Sequence, residues 1–352
     1  MIRREFIKNT TLTGMAFSMP NHHFLKLGNQ KMGIVVHSYA VRWNSKIQSP
    51  QFPGFTSAMD LLDHAALVNA GGIQAMVNDW SLDFAKQVRT KREKLGLYLE
   101  GSIGLPKTLE DIAKFESQIL NAKEAGATTL RAVTLGPRRY ETFKTLKSFL
   151  DYKKQALFSL QLAEPILKKH KVRLGVENHK DLRSDEMLTM LKALDSEWIG
   201  VTLDFGNNIA ILEDPLLVTE KLAPYVFSTH IKDMAVDEYV NGFLLSEVPM
   251  GTGVCDLNRM VSICKKHNPN VTFNLEMITR DPLETPVFTK DYWITFHDVP
   301  ATDLSNMMMM VKQKKTNGLP MISNLQNDQK LERENQNIVE CLKYSRDKLS
   351  MI

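Results

Sequence analysis

The sequence predicts a (β/α)8 TIM barrel carrying a C-terminal extension, and three observations predict it. Four short apolar runs, Leu174-Gly-Val-Glu177, Gly200-Val-Thr-Leu-Asp204, Val226-Phe-Ser-Thr-His230 and Val271-Thr-Phe-Asn-Leu-Glu276, each end in a side chain able to hold a metal. Their spacing is regular: Glu177 and Asp204 lie 27 residues apart, and Asp204 and His230 lie 26 apart, room for one strand, one helix and two loops. Eight such alternations fit within residues 31–283, about the 250 residues usual for a barrel whose active sites lie at the C-terminal strand ends.

The elements follow in order. Residues 1–30 carry Arg3-Arg-Glu-Phe-Ile-Lys8 and a short, mildly apolar stretch, Thr10 to Met19, similar to a twin-arginine leader. This predicts an exported, periplasmic protein, or a cytoplasmic one if the leader is not functional. Four earlier strands are expected at Met32–His37, Gly72–Val77, Leu97–Gly101 and Thr128–Thr134. Between strands, Leu109–Leu120 and Ser184–Leu194 place apolar residues at three- and four-residue steps, as amphipathic helices do. The 46 residues from His230 to Glu276 exceed the repeat. The excess is explained by Glu238–Glu247, where Asn241-Gly242 between apolar stretches predicts an inserted hairpin. The chain leaves the last strand through a proline- and aromatic-rich loop, Asp281 to Phe296, and the extension, residues 284–352, is expected to pack on the barrel and to continue into two helices, Thr302–Gln313 and Leu331–Leu349. The run Met307 to Met310 is expected to fill core on the first of them.

Composition narrows the function. With 43% hydrophobic residues the chain can bury a large core, and a net charge of +4 over 352 residues, with no basic cluster interleaved with aromatics, argues against nucleic-acid binding. No stretch approaches a membrane span, so stable membrane insertion is not expected. Cys255, Cys264 and Cys341 lack metal-site spacing and are too few for a disulfide framework.

Strand-end logic supplies further candidates. His179 and Lys232 each lie two residues beyond a ligand candidate and face the same way if the strands continue, which suggests substrate contacts. His37, Glu100, Arg131 and Asn207 join them on the same grounds.

Gly175-Val-Glu-Asn-His179, Leu203-Asp-Phe-Gly-Asn207 and Thr229-His-Ile-Lys-Asp233 resemble the sugar phosphate isomerase/epimerase group of the xylose-isomerase-like barrel superfamily over residues 31–283. The resemblance implies that Glu177, Asp204, His230 and Glu276 hold one divalent ion, Mn2+, Mg2+, Co2+ or Zn2+, and that Glu177 and Glu276 form the acid/base pair. It implies a sugar or sugar derivative as the ligand and chemistry through an enediolate, either isomerisation or epimerisation. A lyase acting on keto-sugars or 3-keto-glycosides would share that intermediate. A non-catalytic sugar-binding barrel would be expected to have lost a carboxylate, and a zinc-dependent DNA-repair barrel would need more histidines and a basic face. The ketose 3-epimerases of the group carry a glutamate where this chain has Arg183 and an arginine where it has Val236, so the grip on substrate must differ. Assembly into a homo-oligomer is compatible with this reading.

Overall fold

The computed structural model describes residues 31–43, 47–316 and 318–352; the expected twin-arginine leader lies outside them. Eight parallel strands close a barrel: β1 (Gly33–Val35), β2 (Gly72–Met76), β3 (Tyr98–Ser102), β4 (Thr129–Ala132), β5 (Arg173–Glu177), β6 (Ile199–Asp204), β7 (Val226–Ile231) and β10 (Thr272–Leu275). Each strand is buried on both faces, hence the nearly continuous apolar runs in the sequence. The expected (β/α)8 barrel is the observed fold. Along β5, Gly175 has no side chain because a Cβ there would stand 2.7 Å from the Thr202 backbone nitrogen. That close approach lets β5 and β6 pair in register directly beneath Glu177 and Asp204.

The inserted hairpin is larger than the sequence suggested. It comprises β8 (Asp233–Tyr239) and β9 (Gly242–Val248), starting almost immediately after β7, and β11 (Leu283–Thr285) adds a third strand from the chain beyond the barrel. Gly242, at φ 151°, opens the return strand where other residues would be strained. This small sheet has its own core. Met234, Val236, Phe243 and Leu245 pack with Tyr292, Phe296, Met307 and Val311 from the segment after β11. Truncating Phe243 would cost about 3–5 kcal/mol on the scale of such substitutions. Of the methionine run, Met307 is buried while Met309 is half exposed, as one helix face against the other requires.

Helices cover the barrel between successive strands, among them Ala58–Leu67, Leu82–Leu95, Ile112–Glu124, Leu146–His170 and Ser184–Leu194. The last helix, Asn327–Leu349, returns to pack on β10 and on the helix Leu257–His267, adding Ile338, Cys341, Leu342 and Leu349 to the main core. Its Glu334 reaches back to accept the Val41 backbone N–H at 2.6 Å. Among the described residues no helix is long and apolar enough to cross a membrane. The three cysteines are free.

Candidate metal centre and active site

Four neighbouring strands deliver the four ligand candidates. Glu177 ends β5, Asp204 ends β6, His230 lies in β7 paired with Asp204, and Glu276 follows the last residue of β10. One ligand atom from each lies within 4.8 Å of every other, and all four residues are buried. Bonds of about 2.0–2.6 Å to a divalent cation put opposite ligands roughly 4–5 Å apart, so the quartet fits such an ion.

The ligands are held by partners behind them. His230 Nε2 donates to Gln74 Oε1 at 2.8 Å, which leaves Nδ1, buried and without a hydrogen-bond partner among the described residues, turned toward Glu177 and Glu276 at 3.5 and 3.4 Å. That lone pair is the one a metal would take. Asp204 Oδ1 accepts from the Gly206 and Asn207 backbone at 2.9 and 2.8 Å, fixing the carboxylate with Oδ2 turned to the cluster. Glu177 is gripped by Arg131, with Nε at 2.5 Å, and by Asn207 Nδ2 at 2.9 Å. The Lys232 ammonium sits between Asp204 Oδ2 at 2.7 Å and Glu276 Oε2 at 2.6 Å.

Burial drives all three carboxyls toward protonation, and their neighbours decide the outcome. At Glu177 the Arg131 guanidinium and His230 outweigh burial and hold the group down at about 2. At Glu276, Lys232 and His230 do the same and hold it well below the usual carboxylate range. Asp204 goes the other way, to about 6, because burial and the two nearby glutamates overcome Lys232. Burial lowers His230, but Glu276 and Glu177 push it up by more. Three carboxylates and one imidazole in so small a volume are a strong electrostatic demand for a dication.

The cluster opens into a cavity of about 390 Å³ bordered by His37, Arg131, His179, Lys232 and Glu276 among the residues singled out from sequence. His179 is pushed down to about 3, chiefly by burial, and is neutral at physiological pH. Asn207 braces the site from behind, accepting from Lys232 at 3.2 Å while it donates to Glu177. Glu100 does not border this cavity. It lies deeper in the barrel, where it accepts from Gln74, Ser228 and Asn274 at 3.1, 2.6 and 2.9 Å.

The sequence did not single out Gln74, Lys180, Arg138, Glu141, Glu247 or Arg280. Lys180, Arg138, Glu141 and Arg280 border the cavity, and Glu247, from β9, pairs with Arg280 Nε at 3.1 Å. The signal for Gln74 was a lone polar residue inside the apolar β2 run; the others sit on loops, on the one-turn helix Arg139–Thr142 or on the insert, where no periodicity points at a site.

Fold and site together define a barrel enzyme superfamily. Residues 66–291 match the xylose isomerase-like TIM barrel family, and the chain belongs to it. It is 27% identical over 247 residues to the 3-oxo-isoapionate decarboxylase of Pectobacterium atrosepticum, which covers 68% of this chain and 83% of that protein. Among solved structures, D-psicose 3-epimerase crystallised in the presence of D-fructose superposes with a TM-score of 0.58 at 14% identity, over 90% of this chain and 98% of the epimerase. The IOLI protein, crystallised with a bound zinc atom, superposes with a TM-score of 0.51 at 15% identity, over 82% of this chain and all of that one.

Proposed function

We propose that this chain is a divalent-metal-dependent enzyme that removes a proton beside a carbonyl in a sugar or sugar derivative, isomerising or epimerising it through an enediolate. The observation that carries the reading is the buried Glu177, Asp204, His230 and Glu276 cluster at the floor of a cavity that Glu276 itself borders. A cation held by the four would polarise the carbonyl and the hydroxyl next to it. Glu276 is the better placed of the two glutamates to act as base, because Glu177 is fully buried behind Arg131 and Asn207. As the C–H bond breaks, its proton passes to the Glu276 carboxylate and its electron pair moves onto the carbonyl oxygen. Arg131 and Lys232, bordering the same space, supply positive charge where that oxygen becomes anionic. Return of a proton to the neighbouring carbon gives an isomer, and return to the opposite face gives an epimer.

A lyase is the second reading, favoured by the likeness to a decarboxylase over most of that protein's length. Loss of carbon dioxide from a 3-oxo acid leaves its electron pair in the same kind of enolate, which then takes up a proton. The test is incubation of metal-loaded protein with aldoses, ketoses, keto-acids and 3-keto-glycosides in deuterated water, followed by NMR and mass spectrometry. Deuterium incorporated at one carbon without loss of mass supports isomerase or epimerase chemistry; released carbon dioxide or aglycone supports a lyase. No exchange and no product with any of them, in protein shown to bind metal, would overturn both. Export through Arg3 and Arg4 is a separate proposal, checked by replacing both with Lys and expecting retention in the cytoplasm of a host with the twin-arginine pathway.

A further inference from the structure

Five cationic side chains border the active-site cavity, and four of them have a carboxylate partner. Arg131 pairs with Glu177, Lys232 with Asp204 and Glu276, Arg138 with Glu141 at 2.8 Å, and Arg280 with Glu247. Lys180 is the exception. It is only 4% exposed, it borders the cavity, and its Nζ has one acceptor among the described residues, the neutral Oδ1 of Asn207. A buried ammonium whose acceptor is a neutral amide, with Glu247 and Asp204 acting on it only at longer range, is poorly compensated for its lost hydration.

Its loop is built to keep it there. The Arg139 backbone N–H donates to the Lys180 carbonyl at 2.9 Å, and the next residue, Asp181, accepts from Thr134 Oγ1 and Tyr152 OH, both at 2.8 Å. Charge matching extends the argument. With histidines neutral, the five cations face the five carboxylates of these ion pairs, Glu177, Asp204, Glu276, Glu141 and Glu247, so a divalent cation on the cluster would add two positive charges to that set.

We propose that Lys180 binds a carboxylate of the substrate, which makes the substrate class sugar acids and their keto derivatives rather than neutral sugars. The inference rests on the cavity being a sugar-derivative site, but not on which reaction occurs there.

The test is calorimetric titration of the Mn2+-loaded full chain with a six-carbon aldonate and with the alditol of the same configuration. The aldonate is expected to bind at least about tenfold tighter, the worth of one charge-assisted contact. Lys180→Met should keep its Mn2+ affinity and bind the two alike, while Lys180→Arg should retain part of the preference; Lys180→Gln serves if the Met variant does not fold. Equal binding of the two by wild type would overturn the proposal. So would a preference undiminished in Lys180→Met, since the carboxylate would then lie on the metal. Tighter binding of an alditol phosphate than of the aldonate would move the anion to phosphate and overturn the carboxylate assignment. None of these measurements involves turnover, so a failed deuterium-exchange experiment and a failed Lys180 assignment are told apart.

Discussion

Gln74 Oε1 lies 2.8 Å from His230 Nε2, across 156 residues of sequence, and this contact sets which nitrogen of the histidine faces the Glu177, Asp204 and Glu276 carboxylates. The amide cannot be turned round, because its Nε2 is committed to the Glu100 carboxylate at 3.1 Å. Glu100 in turn is fixed as an acceptor by Ser228 and Asn274. The chain Glu100, Gln74, His230 therefore places the proton on Nε2 and the lone pair on Nδ1, within reach of Glu177 and Glu276.

Gln74→Leu should consequently weaken metal binding without removing a ligand. The expected loss is roughly 10–100-fold in affinity, the usual effect of deleting a group that orients a metal-bound histidine. Competition with a fluorescent chelator measures it. Unchanged affinity would mean that packing alone orients His230.

Lys232 is the second lever. Its ammonium occupies the space between Asp204 and Glu276, so it stabilises two buried carboxylates in the absence of metal and competes for them in its presence. Lys232→Met removes the ammonium both carboxylates share and should destabilise the metal-free protein by about 3–5 kcal/mol, the usual cost of breaking a buried pair. Added Mn2+ should restore much of the loss. The rise in Tm between EDTA and saturating Mn2+ is therefore expected to be larger in the variant than in the wild type, and an equal rise would count against Lys232 as the resident counter-charge.

The barrel was legible in the sequence because strands buried on both faces read as unbroken apolar runs and because the loops between them are short. Observed strand ends differ from the expected ones by a residue or two; β5, for instance, begins at Arg173 instead of Leu174. The hairpin was legible from Asn241-Gly242, but its start at Asp233 was hidden, since no Gly, Pro or Asn separates β7 from β8. Of the site, the convergence of Glu177, Asp204, His230 and Glu276 was readable because they recur at one depth. Glu100 misled the same reasoning: it stands mid-strand in β3, two residues short of the end, and so lies a layer deeper than the ligands. Lys180 was invisible for a different reason. The backbone turns after β5, with the His179 N–H donating to the Glu177 carbonyl at 2.9 Å, so strand alternation no longer says which way residue 180 points.

Glu334 predicts how stability responds to pH. Burial raises its carboxyl from 4.5 to about 7, against the opposing pull of the Val41 N–H and Arg42. The native state thus holds a proton that the unfolded chain has already released, so this group lowers stability as pH rises from about 4.5 to 7, and the full penalty is present above that window. Its size is on the order of 3 kcal/mol. Glu334→Gln removes the titration, so urea midpoints at pH 5 and pH 8 should show the variant gaining stability relative to wild type at the higher pH. A constant difference between the two proteins would show that Glu334 ionises alike in both states.

Binding and chemistry can be separated at the quartet itself. Asp204 and His230 are assigned coordination alone, whereas Glu276, which borders the cavity, is assigned coordination and proton transfer. Glu276→Gln keeps an oxygen in place but removes the base. The metal should stay, held more loosely, and solvent-deuterium exchange at the reacting carbon should fall by about 10² or more, the contribution of a positioned general base. His230→Ala should instead lose metal and activity together, and excess metal should restore part of both. The two variants are compared by metal content and by the rate of deuterium incorporation on one substrate. Should Glu276→Gln exchange deuterium at the wild-type rate with metal bound, Glu276 is a ligand only, and the base is Glu177 or His179.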